Sequence, residues 1–217
     1  MKFGTVGPLL TGIQMKTADD GEVLCKGPNI MMGYLNRPDK TAEVIDADGW
    51  FHTGDIGVIE DGKFLKITDR KKEIFKTSGG KYIAPQPIEQ RMKESSFIEH
   101  IMVIGENRNF PAALIIPNFE YLKNWCEVKH IEFGSKEKAI KNPQIIRRIR
   151  QEVERFNQSL DKIEQIKKYR LLDAEWTPES GEISPTLKLR RKFIVEKYSK
   201  IIEETYRSAE FNYRIDG

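Results

Sequence analysis

The stretch that decides the fold is Gly49–Glu89, GWFHTGDIGVIEDGKFLKITDRKKEIFKTSGGKYIAPQPIE. Alternating apolar residues around the Asp-Gly pair at 61–62 predict a β-hairpin over 57–68, because Asp-Gly is a strong signal for a tight hairpin turn. The charged run at 69–73 follows, and it favours a solvated crossing over a core segment. A second hairpin is predicted after it, with a Gly-Gly tip at 79–80.

Two charged residues in this stretch are candidates for binding a sugar. Asp55 follows a glycine at the end of an aromatic strand-like run, and its carboxylate can accept two hydroxyl hydrogen bonds, as from the cis-diol of a ribose. The alternative is a turn carboxylate that caps a backbone amide. Arg70 lies one hairpin further on, where it is expected to face Asp55; its alternative is a solvated surface arginine.

The glycine tip of the second hairpin is a candidate for close approach by a ligand. Gly79 and Gly80 carry no side chains, so their backbone can lie near a bound molecule, and Lys76 on the same hairpin is a candidate for contacting phosphates. A GxxxxGK[ST] phosphate loop is excluded, because Phe75 stands where its first glycine belongs and Tyr82 where its Ser or Thr belongs.

The composition narrows the classes of function. Lys and Arg number 36 against 33 Asp and Glu, and a net charge of +3 is too balanced to indicate a nucleic-acid partner. Cys25 and Cys126 are far apart and lack CxxC spacing, which predicts free thiols in a reducing compartment. No histidine lies near another ligand at metal-binding spacing, so no metal site is expected.

No targeting or membrane-spanning segment is visible. Apolar runs stay well short of the ~20 residues that span a bilayer, and residues 1–4 open no signal peptide. A cytoplasmic globular protein is therefore expected.

The rest of the chain predicts an α+β fold. Short strands are expected over 1–48, and the expected elements after the second hairpin are a short helix from Pro87, strands over 97–104, 112–116 and 169–174, helices from Asn118 and Asn142, and a last helix from about Leu189. The face of that last helix is predicted to consist of Phe193, Ile194, Tyr198, Ile201 and Ile202.

The helix that starts at Asn142-Pro143 carries an apolar stripe. The stripe residues are Ile146, Ile149, Val153, Phe156, Leu160 and Ile163. Such a stripe is expected to pack on its own domain. The alternatives are a partner helix or a peripheral contact with the inner membrane surface, for which Arg147, Arg148 and Arg150 would supply positive charge.

The order of four motifs resembles the adenylate-forming acyl-CoA synthetases, specifically the long-chain fatty acyl-CoA ligases. The motifs are GEVLCKGPNIMMGY (21–34), FHTGDIG (51–57), TDRKKEIFKTSGGKYIAPQPIE (68–89) and GEISPTLKLRRKFIVEKY (181–198). The resemblance covers nearly the whole chain. It implies a β-rich end of a large N-terminal domain over 1–68, a hinge over 69–72 and a C-terminal α+β lid domain over 73–217. Met1 would then be an artificial start, or a native methionine used as one.

The resemblance also implies roles for individual residues. Asp55 and Arg70 would hold the ribose of ATP or of the acyl-adenylate, and Lys72 would be the hinge between two active arrangements. Gly79 and Gly80 would leave room for the pantetheine arm of CoA. Lys188 would be the catalytic lysine. Leu187 replaces the glycine that usually precedes this lysine, which leaves Lys192 as a rival.

The implied reaction joins a fatty acid to CoA, with ATP and Mg²⁺, through an acyl-adenylate and with release of AMP and pyrophosphate. The missing N-terminal domain would supply the phosphate cradle and the acyl tunnel, so this chain alone is expected to fold without making acyl-CoA. Two alternatives stay open. One is another adenylate-forming enzyme, such as a peptide-synthetase adenylation domain, and the other is a basic module that binds acidic lipid or RNA.

Overall fold

The computed structural model describes residues 2–71 and 73–207. It divides into two compact units, Met1–Ile74 and Phe75–Gly217. Both contain strands and helices, so the predicted α+β fold class is confirmed. Among the described helices, none has the length and apolar character needed to cross a membrane.

The first unit is built on an antiparallel five-stranded sheet in the order β1-β5-β4-β3-β2. Its elements are β1 (Gly7–Pro8), β2 (Gln14–Thr17), β3 (Glu22–Lys26), α1 (Pro38–Val44), β4 (Phe51–Glu60) and β5 (Phe64–Arg70). Asp61 and Gly62 connect β4 to β5 with φ of 53° and 66°, the left-handed region that tight hairpin turns favour. The first predicted hairpin is therefore confirmed.

This hairpin is longer than the sequence suggested. Strand β4 begins at Phe51 rather than Gly57, so Asp55 lies within a strand, and β5 continues through Asp69 and Arg70. The prediction that the charged run starts a solvated crossing at Asp69 was therefore wrong for its first two residues. The Arg70 side chain stays exposed within the strand, because one face of an antiparallel strand can lie in solvent. The hinge assigned to 69–72 overlaps the end of β5.

The second unit contains a two-stranded hairpin and a three-stranded sheet in the order β10-β9-β8. Its strands are β6 (Phe75–Lys76), β7 (Tyr82–Ile83), β8 (Ile98–Ile104), β9 (Ala112–Pro117) and β10 (Lys168–Leu171). Its helices are α2 (Pro85–Met92), α3 (Phe119–Lys129), α4 (Lys136–Ala139), α5 (Pro143–Asn157), α6 (Arg191–Lys197) and α7 (Ser199–Arg207). The second predicted hairpin is confirmed as β6–β7.

The three-stranded sheet is covered on both faces. Ile101 and Val103 of β8 belong to one core cluster with buried residues of α2, α3 and α5. Met102 and Ile104 point the other way and join a second cluster with residues of α6 and α7. A sheet buried on both faces needs continuous apolar strands, which explains the uninterrupted apolar run of β9.

Helix α5 starts where the sequence predicted, and Ile149, Val153 and Phe156 of the predicted stripe are buried in the core of its own unit. Asn142 is the N-cap, with its side chain accepting from the Gln144 amide. Ile145, rather than Ile146, is buried, and the helix ends at Asn157. Extending the stripe to Leu160 and Ile163 was therefore wrong. The chain leaves the helix because Asn157 turns its side chain to the backbone of Ile166, accepting from its amide and donating to its carbonyl.

The predicted last helix is two helices that meet at Tyr198. Of the predicted apolar face, Ile194, Tyr198 and Ile202 are buried, whereas Phe193 and Ile201 are only partly covered. Strand β10 is also shorter than predicted and ends at Leu171. The two helices still pack on the sheet, and β10 still forms one of its strands, so their placement in the core is as expected.

Candidate functional site

Asp55 and Arg70 face each other across the first hairpin. They are direct cross-strand partners of β4 and β5, and Arg70 Nε donates to Asp55 Oδ1 at 2.7 Å. The Arg70 side chain is 55% exposed and that of Asp55 25%. A carboxylate has about four lone-pair sites and can accept bonds beyond one from an arginine. The arrangement therefore suits recognition of neighbouring hydroxyls at the surface.

A buried carboxylate lies behind this pair. Glu22 is 3% exposed; its Oε1 accepts from the Gly54 amide at 2.9 Å, and its Oε2 from Lys71 Nζ at 2.8 Å. The same Oε2 lies 2.9 Å from His52 Nδ1, and because an ionised carboxylate only accepts, this nitrogen carries the proton. Burial alone would raise the pKa of Glu22, but Lys71, His52 and the Gly54 amide together hold it below its ordinary value.

Lys71 connects this carboxylate to a second one. Its ammonium lies 2.6 Å from Asp20 and 2.8 Å from Glu22, and these two partners raise the pKa of Lys71. Sequence reasoning placed Lys71 in a solvated charge run and missed both contacts. The signal was the acid that opens GEVLCKG, because a charged residue at the start of an apolar strand needs a partner when it is buried.

The second hairpin presents Lys76, Gly79 and Gly80 together. Gly80 has φ of 78°, and its amide donates to the Thr77 carbonyl at 2.9 Å, so the tip is a tight turn. A Cβ added at Gly79 would meet nothing closer than Thr77 Oγ1, 4.0 Å away. Lys76 Nζ lies 5.5 Å from the centroid of the exposed Tyr82 ring. The tip is open on its glycine side.

A loop over 105–110 braces this hairpin, which the sequence did not reveal. The Ser78 amide donates to the Arg108 carbonyl at 2.9 Å, and the Asn107 amide donates to the Lys76 carbonyl at 2.9 Å. Ser78 Oγ also donates to Asn109 Oδ1 at 2.6 Å. The glycine tip is therefore a supported turn.

Lys188 lies on a tight exposed loop between Ile183 and Leu189, which form an isolated β-bridge. Ser184 organises the loop: its amide donates to the Lys188 carbonyl at 2.8 Å, and its hydroxyl accepts from the Lys188 amide at 3.1 Å. Leu187 has φ of 59°. The position therefore demands a left-handed backbone, which gives a physical reason for the glycine usual there in the resembling ligases.

Lys192, the rival lysine, is exposed in the first turn of α6. Its neighbour Arg191 is instead half-buried and forms a bidentate ion pair with Glu89 of α2, at 2.9 and 2.5 Å. The same carboxylate accepts from the Val103 amide at 2.6 Å. Arg191 therefore fixes the start of α6, and both lysines remain candidates.

Glu182 anchors the loop that carries Lys188, hereafter the lysine loop, from the protein interior. It is fully buried, accepts from Lys197 Nζ at 2.6 Å and from the Tyr198 hydroxyl at 3.0 Å, and its backbone carbonyl accepts from the Arg190 amide. Burial would raise the pKa of Glu182, but Lys197 chiefly holds it below the ordinary value. Motif reading included this residue and gave it no role.

The remaining sequence candidates stand as follows. Lys72, the proposed hinge, lies outside the described residues. The Asp55–Arg70 pair belongs to the first unit, whereas Lys76, the two glycines and Lys188 belong to the second. No group of three or more His, Cys, Asp or Glu able to hold a metal ion occurs in the described parts of the chain.

The AMP-binding enzyme C-terminal domain family matches residues 72–210. The long-chain-fatty-acid–CoA ligase FadD15 of Mycobacterium tuberculosis is 36% identical over 95% of this chain, which spans 34% of that protein. Human long-chain-fatty-acid–CoA ligase 1 is 37% identical over 88% of this chain, which spans 28% of it.

A solved structure shows the same fold. The adenylation domain of the carboxylic acid reductase from Segniliparus rugosus, in complex with AMP, superposes with a TM-score of 0.74 at 21% identity, over 92% of this chain and 32% of that one. The family match covers more than half of the chain, and the resemblance inferred from the four motifs is confirmed. The chain belongs to the AMP-binding enzyme C-terminal domain family.

Proposed function

We propose that the chain is the C-terminal part of an AMP-forming long-chain fatty acid–CoA ligase, hereafter the full-length ligase. The observation that carries the proposal is the Asp55–Arg70 pair, 2.7 Å apart on two paired strands immediately before the matched domain. The names of relatives that match nearly the whole chain support a fatty acid as the acyl substrate. They also favour a ligase over another adenylate-forming enzyme, since the similarity to the reductase shows the fold alone.

Asp55 and Arg70 bind the ribose in this proposal. The Asp55 carboxylate accepts from the two hydroxyls of the cis-diol, and Arg70 holds that carboxylate in place. Such contacts position the nucleotide without taking part in bond making, so their effect on rate comes through orientation.

Lys188 acts in the first half-reaction. A fatty acid carboxylate oxygen attacks the α-phosphorus of ATP, the bond to the β-phosphate breaks, and pyrophosphate leaves. The Lys188 ammonium stabilises the negative charge that develops on the α-phosphate. Its exposed loop, held by Ser184 and the buried Glu182, presents the amine to an active site completed by the preceding domain.

The glycine tip acts in the second half-reaction. The CoA sulfur attacks the acyl carbonyl carbon and AMP leaves with the bonding electron pair. Gly79 and Gly80 leave room for the pantetheine arm, Lys76 contacts phosphate, and rotation at Lys72 exchanges the two arrangements. Mg²⁺ would accompany the phosphates of ATP in the full-length ligase.

The proposal also includes a cytoplasmic location with peripheral contact at the inner membrane surface. The arginines of α5 would have to face the lipid, yet Arg148 pairs with Glu152 at 2.5 Å within the helix. Binding of the full-length ligase to anionic vesicles, lost on adding salt, would support this contact.

The test separates the two half-reactions in the full-length ligase. Lys188→Ala should slow acyl-adenylate formation by roughly 100-fold or more, and change thioester formation from supplied acyl-adenylate much less. Lys192→Ala is the matched control, because it removes an exposed lysine four residues away. Equal losses in both half-reactions would overturn the assignment, and a loss confined to Lys192→Ala would move the role to that lysine.

A further inference from the structure

Three hydrogen bonds close a ring beside the two residues that carry the proposed ribose contacts. The Gly54 amide donates to Glu22 Oε1 at 2.9 Å, and Lys71 Nζ donates to Glu22 Oε2 at 2.8 Å. The Lys71 amide completes the ring by donating to the Gly54 carbonyl at 2.8 Å. Gly54 directly precedes Asp55, and Lys71 directly follows Arg70. The ring therefore holds the backbone of both strands directly beside the pair, at Gly54 and at Lys71.

The ring lies where the sheet is irregular. The register between β3 and β4 shifts between Glu22 and Leu24, and that between β4 and β5 shifts between Ile56 and Gly57. Regular ladder bonds normally fix the relative position of paired strands, and a bulge interrupts them. Here the Gly54 amide donates to a side-chain carboxylate, directly beside the point where Asp55 pairs with Arg70.

Because Glu22 is buried, its carboxylate needs specific hydrogen-bond partners. The Glu22 side chain is 4% exposed, whereas that of Lys71 is 44% exposed. A buried charge is tolerated only when it is paired and hydrogen-bonded, and Glu22 satisfies this with the Gly54 amide, the His52 ring and the Lys71 ammonium. Replacing the carboxylate by an amide keeps the shape but puts N–H groups where two donors already point.

We propose that Glu22 is a positioning residue for nucleotide recognition: it fixes the distance and register between Asp55 and Arg70 without touching the nucleotide. This inference rests on the proposed function, since it assumes that the pair binds ribose. It assigns Lys71 to the same ring, as the exposed group that closes it.

The readout must respond to ribose geometry and not to general stability. The ratio of kcat/KM for ATP to kcat/KM for 2′-deoxy-ATP meets this need, because a variant that merely loses folded enzyme lowers both values equally. Wild-type full-length ligase should prefer ATP by roughly 10- to 100-fold, as expected for one hydrogen bond to a charged group.

Four proteins decide the matter: wild type, Glu22→Gln, Asp55→Asn and the control Glu60→Gln. Glu60 carries the same chemical change at the far end of β4, where its carboxylate pairs with Lys2 at 2.9 Å. Glu22→Gln should lower the preference for ATP by about tenfold, as a misplaced contact does, and Asp55→Asn should abolish it. Glu60→Gln should keep the wild-type ratio.

Each of the other outcomes overturns either the positioning role of Glu22 or the ribose assignment. An unchanged ratio in folded Glu22→Gln, beside a collapsed ratio in Asp55→Asn, overturns the positioning role alone. An unchanged ratio in Asp55→Asn overturns the ribose assignment and this inference with it. A ratio lowered equally in Glu60→Gln also overturns the positioning role. If Glu22→Gln does not fold, Lys71→Met opens the same ring at an exposed side chain, and the same loss of preference is required of it.

Discussion

Replacing Arg191 by methionine should destabilise the second unit far more than the same change at its neighbour Lys192. The Arg191 side chain is 17% exposed and donates to both carboxylate oxygens of Glu89, whose side chain is 7% exposed. Arg191→Met leaves that carboxylate in the interior with the Val103 amide retained and the guanidinium lost. Removing one partner of a buried pair costs about 3–5 kcal/mol, and partial exposure of Arg191 places the expected loss near the lower end.

A double variant tests the physical reason. Adding Glu89→Gln to Arg191→Met also removes the negative charge that Arg191 had balanced, and the glutamine oxygen can still accept from the Val103 amide. The loss should then shrink to about 1–2 kcal/mol, since replacing both members of a buried pair is far milder than removing one. Lys192→Met, on an exposed side chain one position along, should change the free energy of unfolding by less than about 0.5 kcal/mol.

The assay is urea unfolding followed by tryptophan fluorescence in a Trp50→Phe background. Trp125 and Trp176 then report from the second unit. The reasoning would be refuted if Arg191→Met cost no more than Lys192→Met. It would equally be refuted if the double variant lost as much unfolding free energy as Arg191→Met and Glu89→Gln lose separately, added together, because independent effects add.

Three further predictions concern the candidate site. The stabilisation that Glu22 provides should be complete above its ordinary pKa of 4.5 and be lost as pH falls through the lowered pKa of the folded state. The difference in unfolding free energy between wild type and Glu22→Gln, measured by urea titration, must therefore become smaller on acidification. A difference that grows would contradict the pairing. Leu187→Gly should change unfolding free energy by less than about 1 kcal/mol, because relief at positive φ offsets the greater chain entropy of glycine. In the same urea titration, Leu187→Val should be less stable than the leucine form, and equal stability would count against the left-handed backbone. Lys72→Pro in the full-length ligase should spare acyl-adenylate formation and block transfer to CoA, because proline fixes φ near −65°; unimpaired transfer in a thioester assay would remove the hinge.

Local signals predicted the elements that depend on neighbouring residues. The turn at Asp61-Gly62, the glycine tip of the second hairpin and the Asn142-Pro143 start of α5 are each encoded within a few residues, and each occurs in the structure. The Asp55–Arg70 contact also followed, because one hairpin relates the two positions.

Long-range contacts set the features that the sequence did not reveal. Glu22 meets Lys71 across 49 positions and Glu89 meets Arg191 across 102, and no local pattern marks such pairs. The end of α5 depends on a similar contact, because the Asn157 side chain bonds to the backbone of Ile166 beyond the helix.

The lysine loop was predicted only in part from the sequence. Motif reading noticed that Leu187 departs from the usual glycine, but only the backbone shows what the departure means. With φ of 59° and a side chain left 78% exposed, leucine keeps the turn at some conformational cost. Lys188 thus retains the backbone setting that a glycine would provide.

We propose that Asp55 and Arg70 hold a nucleotide ribose, and hydrogen exchange of the full-length ligase with and without AMP tests this claim. Saturating AMP should slow amide exchange in peptides from β4 and β5 that contain Asp55 and Arg70, and Asp55→Asn should remove this protection. The claim would be contradicted if AMP bound at saturation without protecting these strands. It would also be contradicted if the chain bound RNA with a steep loss on adding salt and bound no AMP.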